Sequence, residues 1–295
     1  MKPFKKHPVL LIGYSRHLHI AKVLSKIKNY FPDDLYIFID GLDEKSNKET
    51  LSGHRKVVDL VGQFEGAKNV HIKLSDKNLG CGLGPSAAIS WVLSSENDVI
   101  ILEDDVLPTL DFFEYMNVNL SRLSDSDCMM ISSNKYDRFP QFGNSIKTRF
   151  TLTNGWATWK RAWDLYNYRL VSFDVDNLLD ANVTFIVNKA VWRKIASEVQ
   201  SNKNISYWDY QWQFSVWKHN GWSLQPPRNL TRNIGFDKYG THTTGSDWRE
   251  TILAPEEGPK IKPGYKEIGI VHDLMISIYK SYIPSYIYRL LKIKI

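Results

Sequence analysis

The sequence predicts an α/β fold with a mostly parallel sheet and helices on both of its faces. Three observations predict this class over the first 135 residues: short apolar segments alternate with longer amphipathic ones, the apolar segments are rich in β-branched residues, and polar residues follow them. Such alternation is typical of strand–helix–strand units, which build parallel sheets. At 295 residues the chain suffices for one large domain or two small ones.

Each predicted element follows from the spacing of its apolar residues. In the helix predicted over 17–30, for example, Ile20, Val23, Leu24 and Ile27 repeat at helical spacing. The strands predicted for the first half are 8–12, 35–39, 70–74, 99–102 and 128–132, and the other helices are 44–64, 86–93 and 110–123. In the second half we predict helices near 186–199 and from Trp208-Asp209 onward, and a loop over about 226–250.

Composition limits the class of protein. With 43% hydrophobic and 24% charged residues the chain is an ordinary globular protein, and no run of 18 uncharged apolar residues marks a spanning helix. Residues 1–7 lack the apolar run of a signal peptide, and the two cysteines, Cys81 and Cys128, suit a reducing cytoplasm. We therefore expect a cytoplasmic, bacterial-style enzyme.

Charge is unevenly distributed although the net charge is only +6, because no acid precedes Asp33 and none follows Asp273. The tail 274–295 combines Ile, Leu and Tyr with four cations and contains Pro284. Such a segment suits the anionic inner face of the plasma membrane. The alternative is that the tail docks on the protein itself or on a second subunit.

Three carboxylates, Glu103, Asp104 and Asp105, directly follow the strand predicted over 99–102. Unpaired carboxylates this close repel one another, and a divalent cation is the simplest way to keep them ionised. Hard oxygen ligands favour Mg²⁺ or Mn²⁺. The alternative is a solvated acidic turn. Arg16 and Asp40 also follow predicted strands, at the sheet edge where parallel sheets bind ligands.

Several short motifs occur in one order along the chain. They are Ser15-Arg16, Asp40, Val99-Ile-Ile-Leu-Glu-Asp-Asp105 with Asp111-Phe-Phe-Glu-Tyr115, Asn154-Gly-Trp156, Tyr207-Trp-Asp209, and Asn233-Ile-Gly-Phe236 to Thr241-His-Thr243. This set resembles the inverting N-acetylglucosaminyltransferase I family of GT-A glycosyltransferases and its bacterial sugar-nucleotide transferase relatives, over roughly residues 8 to 245. The resemblance implies a GT-A-like fold. It also implies sugar transfer with inversion from a nucleoside diphosphate sugar, such as UDP-GlcNAc or UDP-GalNAc, to a glycan hydroxyl.

The resemblance also implies roles for the residues at the strand ends. Asp105 would bind a Mn²⁺ or Mg²⁺ ion that bridges the diphosphate of the donor, and Asp104 would face the ribose or the metal waters. Asp40 would accept a hydrogen bond from the pyrimidine N3–H, and Arg16 would help to hold the nucleotide. The alternatives are a helix-capping or turn role for Asp40 before Gly41 and a surface position for Arg16.

An inverting transfer needs a base for the acceptor hydroxyl, and Asp209 is the candidate. It lies between Trp208 and Tyr210 at the start of a predicted helix, so the alternative is that it merely caps that helix. The animal enzymes of this family have two adjacent acids after this tryptophan, whereas here Tyr210 follows Asp209. Asp237 and Asp247 are therefore the other candidates for the base.

The aromatic second half, which holds nine of the ten tryptophans, is predicted to bind the acceptor. The predicted donor and acceptor contacts are Glu103, Trp156, Trp208, Arg232 and His242, of which the last two belong to a glycine-containing cationic segment, 228–249. This segment would be a lid over the diphosphate, or else an ordinary solvated loop. Gly80-Cys-Gly82-Leu-Gly84 is interpreted as a tight turn near the donor.

The predicted organisation is a nucleotide-sugar half at 1–135, an acceptor and catalytic half of the same domain at 136–265, and the basic tail at 266–295. Bacterial surface polysaccharide or glycoconjugate synthesis, with a lipid-linked glycan as acceptor, is the expected setting. A sugar nucleotidyltransferase is an alternative, but Gly13-Tyr-Ser-Arg16 is not the glycine-rich basic loop that such an enzyme needs. A glycoside hydrolase would need no diphosphate site, and a non-catalytic carbohydrate-binding or scaffold protein would retain the aromatic residues.

Overall fold

The computed structural model describes residues 6–135, 144–183, 186–202, 205–235, 261 and 264–267. The strands in these ranges are β1 (Val9–Gly13), β2 (Asp34–Ile39), β3 (Asn69–Leu74), β4 (Asp98–Glu103), β5 (Val106–Pro108), β6 (Cys128–Ser132), β7 (Ser145–Thr148), β8 (Trp156–Trp159), β9 (Trp222–Gln225), β10 (Thr231–Asn233) and β11 (Tyr265–Glu267). The helices are α1 (His17–Tyr30), α2 (Lys48–Gly62), α3 (Gly80–Leu93), α4 (Leu110–Arg122), α5 (Lys160–Trp163), α6 (Val175–Asn182), α7 (Ile186–Ser201) and α8 (Asp209–Lys218).

Within the described residues, one nine-stranded sheet has the order β11-β7-β9-β6-β8-β4-β1-β2-β3. Strands β3, β2, β1 and β4 are parallel to one another, and β6 and β9 run in the same direction. Strands β8, β7 and β11 run the opposite way. The predicted α/β class with a mostly parallel sheet is therefore confirmed.

Both faces of the sheet are covered, as predicted, because neighbouring residues of a strand point to opposite faces. Val9 and Leu11 of β1 pack in a core with residues of α1, α2 and α4, such as Ile20, Val57 and Phe112. Leu10 and Ile12 pack on the other face with residues of α3 and α8, such as Ile89 and Trp212. A third, aromatic core, which includes Phe150, Trp192, Phe214 and Trp217, lies in the second half.

The start of α3 differs from the prediction. The helix begins at Gly80 rather than near residue 86, although three of its first five residues are glycines, which are poor helix formers. The carboxylate of Asp40 accepts hydrogen bonds from the backbone N–H groups of Leu79 and Gly80. This tertiary contact satisfies donors that helix ends leave free, and it offsets the low helix propensity of the glycines.

Strand β8 was not predicted. It lies between β4 and β6, antiparallel to both, so the second half of the chain contributes a strand to the middle of the sheet. Its four residues, Trp-Ala-Thr-Trp, are too few to show a periodicity. Strands from both halves therefore belong to one sheet.

No helix in the described ranges is long and apolar enough to cross a membrane. The tail 274–295 lies outside the described residues.

The N-terminal side of β1 is held by a buried histidine. His7 Nδ1 lies 2.6 Å from Asp98 Oδ1, its Nε2 lies 2.9 Å from Ser121 Oγ, and its backbone N–H donates to Asn117 Oδ1. His7→Ala would leave the buried Asp98 carboxylate without this partner, so we predict a loss of about 3 kcal/mol in the free energy of unfolding, measured by urea denaturation. His219→Ala, at an exposed residue after α8, is the control. Equal losses in the two variants would contradict a structural role for His7.

Candidate functional site

The three carboxylates and Arg16 meet at the carboxyl ends of two adjacent strands. Strand β1 pairs with β4 so that Ile12 lies beside Glu103. The chain that leaves β1 therefore passes the chain that leaves β4, and this brings Arg16 to Asp104 and Asp105. The predicted position of these residues at one edge of a parallel sheet is confirmed.

Arg16 forms an ion pair with both aspartates. Its Nη1 donates to Asp105 Oδ2 at 2.9 Å, and its Nη2 donates to Asp104 Oδ1. From the sequence, Glu103, Asp104 and Asp105 are expected to be unpaired carboxylates. This expectation is wrong for Asp104 and Asp105, because both pair with Arg16. The alternative that Arg16 is merely a surface arginine is also wrong, because only 21% of its side chain is exposed and its guanidinium pairs with two aspartates.

One arginine does not balance three carboxyl groups. Burial, with the charges of Asp105 and Asp104, raises the pKa of Glu103 to about 8. Burial also raises the pKa of Asp104, although Arg16 opposes this shift. Burial disfavours the charge of Arg16, but the carboxylates of Asp104 and Asp105 raise its pKa above the usual value. The negative charges of Asp104 and Asp105 together exceed the single positive charge of Arg16 by one, and this surplus favours a further cation.

The cluster is not a complete metal cage. Among the residues the structure describes, no three Cys, His, Asp or Glu side chains are arranged to hold a metal ion by themselves. Mg²⁺ in nucleotide sites is usually bound by one or two carboxylates, with phosphate and water as the other ligands. The hard oxygen donors and surplus negative charge fit an ion of this kind, bound together with a diphosphate.

A segment from the second half closes over Asp105. Strand β10 pairs with β5, and the Ile234 N–H that follows donates to the Asp105 carbonyl at 2.8 Å. A β-carbon on Gly235 would collide with the Asp105 carboxylate and crowd Arg16 Nη1, so a larger residue here would displace the ion pair. The Gly235 N–H also donates to Asn233 Oδ1 at 2.7 Å. This Asx turn is a signal by which the sequence could have assigned Asn233 and Gly235 to the site.

Asp40 caps α3. Its two carboxylate oxygens accept hydrogen bonds from the N–H groups of Gly41, Leu79 and Gly80 at 2.8–3.2 Å. Burial raises its pKa, and these three N–H groups oppose the shift. Asp40 therefore does cap a helix, as the alternative interpretation proposed. The hydrogen bond from Asp40 to a pyrimidine stays a prediction.

The segment Gly80-Cys-Gly82-Leu-Gly84 forms the start of α3, so the predicted tight turn was wrong. This start of the helix contacts the second half of the chain. Gly80 has a positive φ of 69°, and a β-carbon on Gly82 would collide with the Ile205 carbonyl oxygen. Gly82 therefore permits close approach of α3 to the segment before Trp208, whereas approach of the backbone to a donor stays a prediction.

Asp209 lies within electrostatic reach of the carboxylate cluster, because its charge contributes to the raised pKa of Glu103. It is half-buried, and it is the first residue of α8. Trp208 is the N-cap and makes no side-chain capping bond. Asp209 is thus not the N-cap residue, although a carboxylate in the first turn still interacts favourably with the helix dipole.

Trp156 and Trp208 form part of a tryptophan cluster behind the site. The two rings stack with centroids 5.5 Å apart, and Trp163 and Trp212 pack beside Trp156. Trp156 is fully buried and Trp208 is 5% exposed. The predicted direct contact of Trp156 with donor or acceptor is corrected to a packing role, because the ring has no exposed surface.

Arg232 is exposed on β10, where it lies opposite Leu107 of β5, three residues before Gly235. Its contact with a donor stays a prediction. His242, Asp237 and Asp247 lie outside the described residues, as does most of the predicted lid.

No protein-family model and no curated protein matches this chain. Solved structures give weak similarities. One is the galactosyltransferase LgtC in complex with donor and acceptor sugar analogs, with 10% identity, a TM-score of 0.36 and coverage of 90% of this chain and 88% of that one. Another is an active-site mutant of LgtC, with 9% identity, a TM-score of 0.38 and coverage of 95% of each chain. TM-scores this low do not establish a common fold or activity.

Proposed function

We propose that the protein is a metal-dependent glycosyltransferase that transfers a sugar with inversion from a UDP-sugar to a glycan hydroxyl. The observation that carries the proposal is the cluster of Glu103, Asp104 and Asp105 with Arg16 at the carboxyl ends of β1 and β4. The charge of Asp209, at the start of α8, also acts on this cluster. A nucleoside diphosphate needs cationic partners at such a sheet edge, and a transfer needs a carboxylate base near it.

The residues present suggest a division of roles. Asp105, with help from Asp104, would hold a Mn²⁺ or Mg²⁺ ion, whose bound charge would stabilise the leaving diphosphate. Arg16 can exchange a carboxylate oxygen for a phosphate oxygen, because its guanidinium forms paired hydrogen bonds with either group. Gly235 leaves the space beside Asp105 free of a side chain.

Asp209 would accept the proton of the acceptor hydroxyl while that oxygen attacks the anomeric carbon. The new glycosidic C–O bond forms as the bond from the anomeric carbon to the phosphate oxygen breaks, and the electron pair leaves with the nucleoside diphosphate. Attack from the face opposite the phosphate inverts the configuration at this carbon. UDP-GlcNAc and UDP-GalNAc are the donors we would test first, and surface polysaccharide synthesis is the setting we propose.

The experiment is a thermal-stability screen of UDP, UDP-sugars and UTP, with and without Mn²⁺. A ligand at 100 times its Kd raises the free energy of unfolding by about 2.7 kcal/mol, so we expect UDP and at least one UDP-sugar to stabilise the protein only when Mn²⁺ is present. Stabilisation by UTP and not by UDP-sugars would favour a nucleotidyltransferase. Slow Mn²⁺-dependent hydrolysis of the stabilising UDP-sugar would distinguish an enzyme from a binding protein.

We also propose that the basic tail, residues 274–295, binds the protein to an anionic membrane surface. Four cations in 280–294 would contribute on the order of 1 kcal/mol each at an anionic surface, and salt would weaken this attraction. We predict that deletion of 275–295 abolishes sedimentation with phosphatidylserine vesicles and preserves transfer to a soluble acceptor analogue. Undiminished vesicle binding, or unfolding of the truncated protein, would instead assign the tail a structural role.

A further inference from the structure

Two motifs, Asn154-Gly-Trp156 and Asn233-Ile-Gly235, meet in one polar network that the proposed roles do not use. Asn154 Nδ2 donates to Asn134 Oδ1 at 3.2 Å, and Asn233 Nδ2 donates to Asn154 Oδ1 at 3.4 Å. The hydroxyls of Ser133 and Thr231 join the same network, because each lies 2.8 Å from Asn134 Oδ1 and within hydrogen-bond distance of the Asn154 carbonyl oxygen. Three carboxamides from three separate chain segments are thus connected.

The residues of the network differ in burial, from the core to the surface. Ser133, Asn134 and Thr231 are buried, whereas Asn154 and Asn233 are half-buried. Gly155 has a φ of 79°, and a β-carbon there would lie 2.8 Å from the Thr231 methyl group and 3.0 Å from Val106. The glycine therefore lets the chain turn tightly against β5 and β10, which places the Asn154 carboxamide at the outer edge of the network.

The outer edge of the network adjoins the carboxylate cluster. Asn233 is followed by Ile234, whose N–H donates to the Asp105 carbonyl, and by Gly235, which packs on the Asp105 carboxylate. The transferred sugar of a nucleoside diphosphate sugar is bonded directly to the second phosphate. A diphosphate held at Asp105 would therefore place that sugar near Asn233, at the outer edge of the network.

We propose that the carboxamides of Asn154 and Asn233 form the subsite for the hydroxyls of the donor pyranose, with Asn134 as a positioning residue behind them. This inference rests on the proposed function. A carboxamide has donor and acceptor groups on one plane and so matches neighbouring sugar hydroxyls, each of which can donate and accept. The buried hydroxyls of Ser133 and Thr231 restrain Asn134, which in turn orients Asn154, so the outer amides are preorganised.

The test compares UDP with the UDP-sugar that stabilises the protein most, both with Mn²⁺, by titration calorimetry. The variants are Asn154→Ala and Asn233→Ser. Serine keeps an oxygen that can accept the Gly235 N–H, so the turn beside Asp105 is preserved while the amide is lost. The control is Asn177→Ala, at an exposed residue in α6.

We expect each variant to weaken binding of the UDP-sugar about 5- to 10-fold, the loss for one or two neutral hydrogen bonds, while the affinity for UDP changes less than twofold. Saturation-transfer NMR should show weaker contact with the pyranose protons and unchanged contact with the uridine protons. Because UDP binding reports the folded site in the same sample, a variant that has lost its fold is recognised directly.

The outcomes separate the two proposals. If the wild-type protein binds UDP with Mn²⁺ but the variants keep the full affinity for the UDP-sugar, the subsite is wrong and the glycosyltransferase proposal stands. Equal losses for UDP and UDP-sugar would assign the amides a structural role and overturn the subsite. If neither UDP nor any UDP-sugar binds to the wild-type protein, both proposals fail.

Discussion

Replacing Asp105 with asparagine is expected to abolish sugar transfer and Mn²⁺-dependent UDP binding while the protein stays folded. Asparagine has nearly the same shape as aspartate, so the close packing of Gly235 on this side chain is retained. The variant loses the charge that would bind the cation, and Arg16 keeps Asp104 as its partner. The charge of Asp105 contributes to the raised pKa of Glu103, so this pKa should fall in the variant.

The measurements for Asp105→Asn are transfer rate, UDP titration with and without Mn²⁺, and circular dichroism. The matched control is Asp176→Asn, because Asp176 also pairs with an arginine, Arg193, but does so on the exposed surface of α6. The control should keep full activity. Full activity of Asp105→Asn with excess Mn²⁺ would refute the metal hypothesis.

Replacing Asp209 with asparagine is expected to lower the turnover number about 10²- to 10⁴-fold, the usual contribution of a general base. The affinity for the UDP-sugar should change little, because the nucleotide is assigned to other residues, which follow β1, β2 and β4. Asparagine keeps the shape of the first turn of α8, so the buried residues Trp212, Phe214 and Trp217 should remain packed.

For Asp209 the informative quantities are kcat, the KM for the donor and the anomeric configuration of the product. Asp164→Asn, at an exposed residue that pairs with Lys160, serves as the control. Near-normal kcat in Asp209→Asn, combined with a large loss in Asp237→Asn or Asp247→Asn, would move the base to one of those residues. A product with retained configuration would exclude the single inverting displacement.

Local patterns predicted most of the first half of the fold. Helix α1 has the predicted bounds, and β1 to β4 lie within one residue of the predicted strands at each end. These elements could be predicted because apolar periodicity is a property of neighbouring residues. The same patterns could not predict β8, whose pairing with β4 joins Ile101 to Trp156, nor the helical start at Gly80, which depends on Asp40.

In the candidate site, too, some features could be predicted from the sequence and others depend on the tertiary structure. The sequence by itself determined that Arg16, Asp40 and the acids 103–105 lie at the carboxyl ends of strands, and therefore at one edge of the sheet. Only the tertiary structure decided which groups they contact: Arg16 pairs with Asp105 across 89 residues, Asp40 caps α3 across 40, and the turn at Asn233 covers Asp105. Such contacts depend on how strands and helices pack rather than on local spacing. For the same reason sequence could assign Trp156 to an aromatic motif, but packing decided that its ring is buried while the adjacent Asn154 amide borders the site.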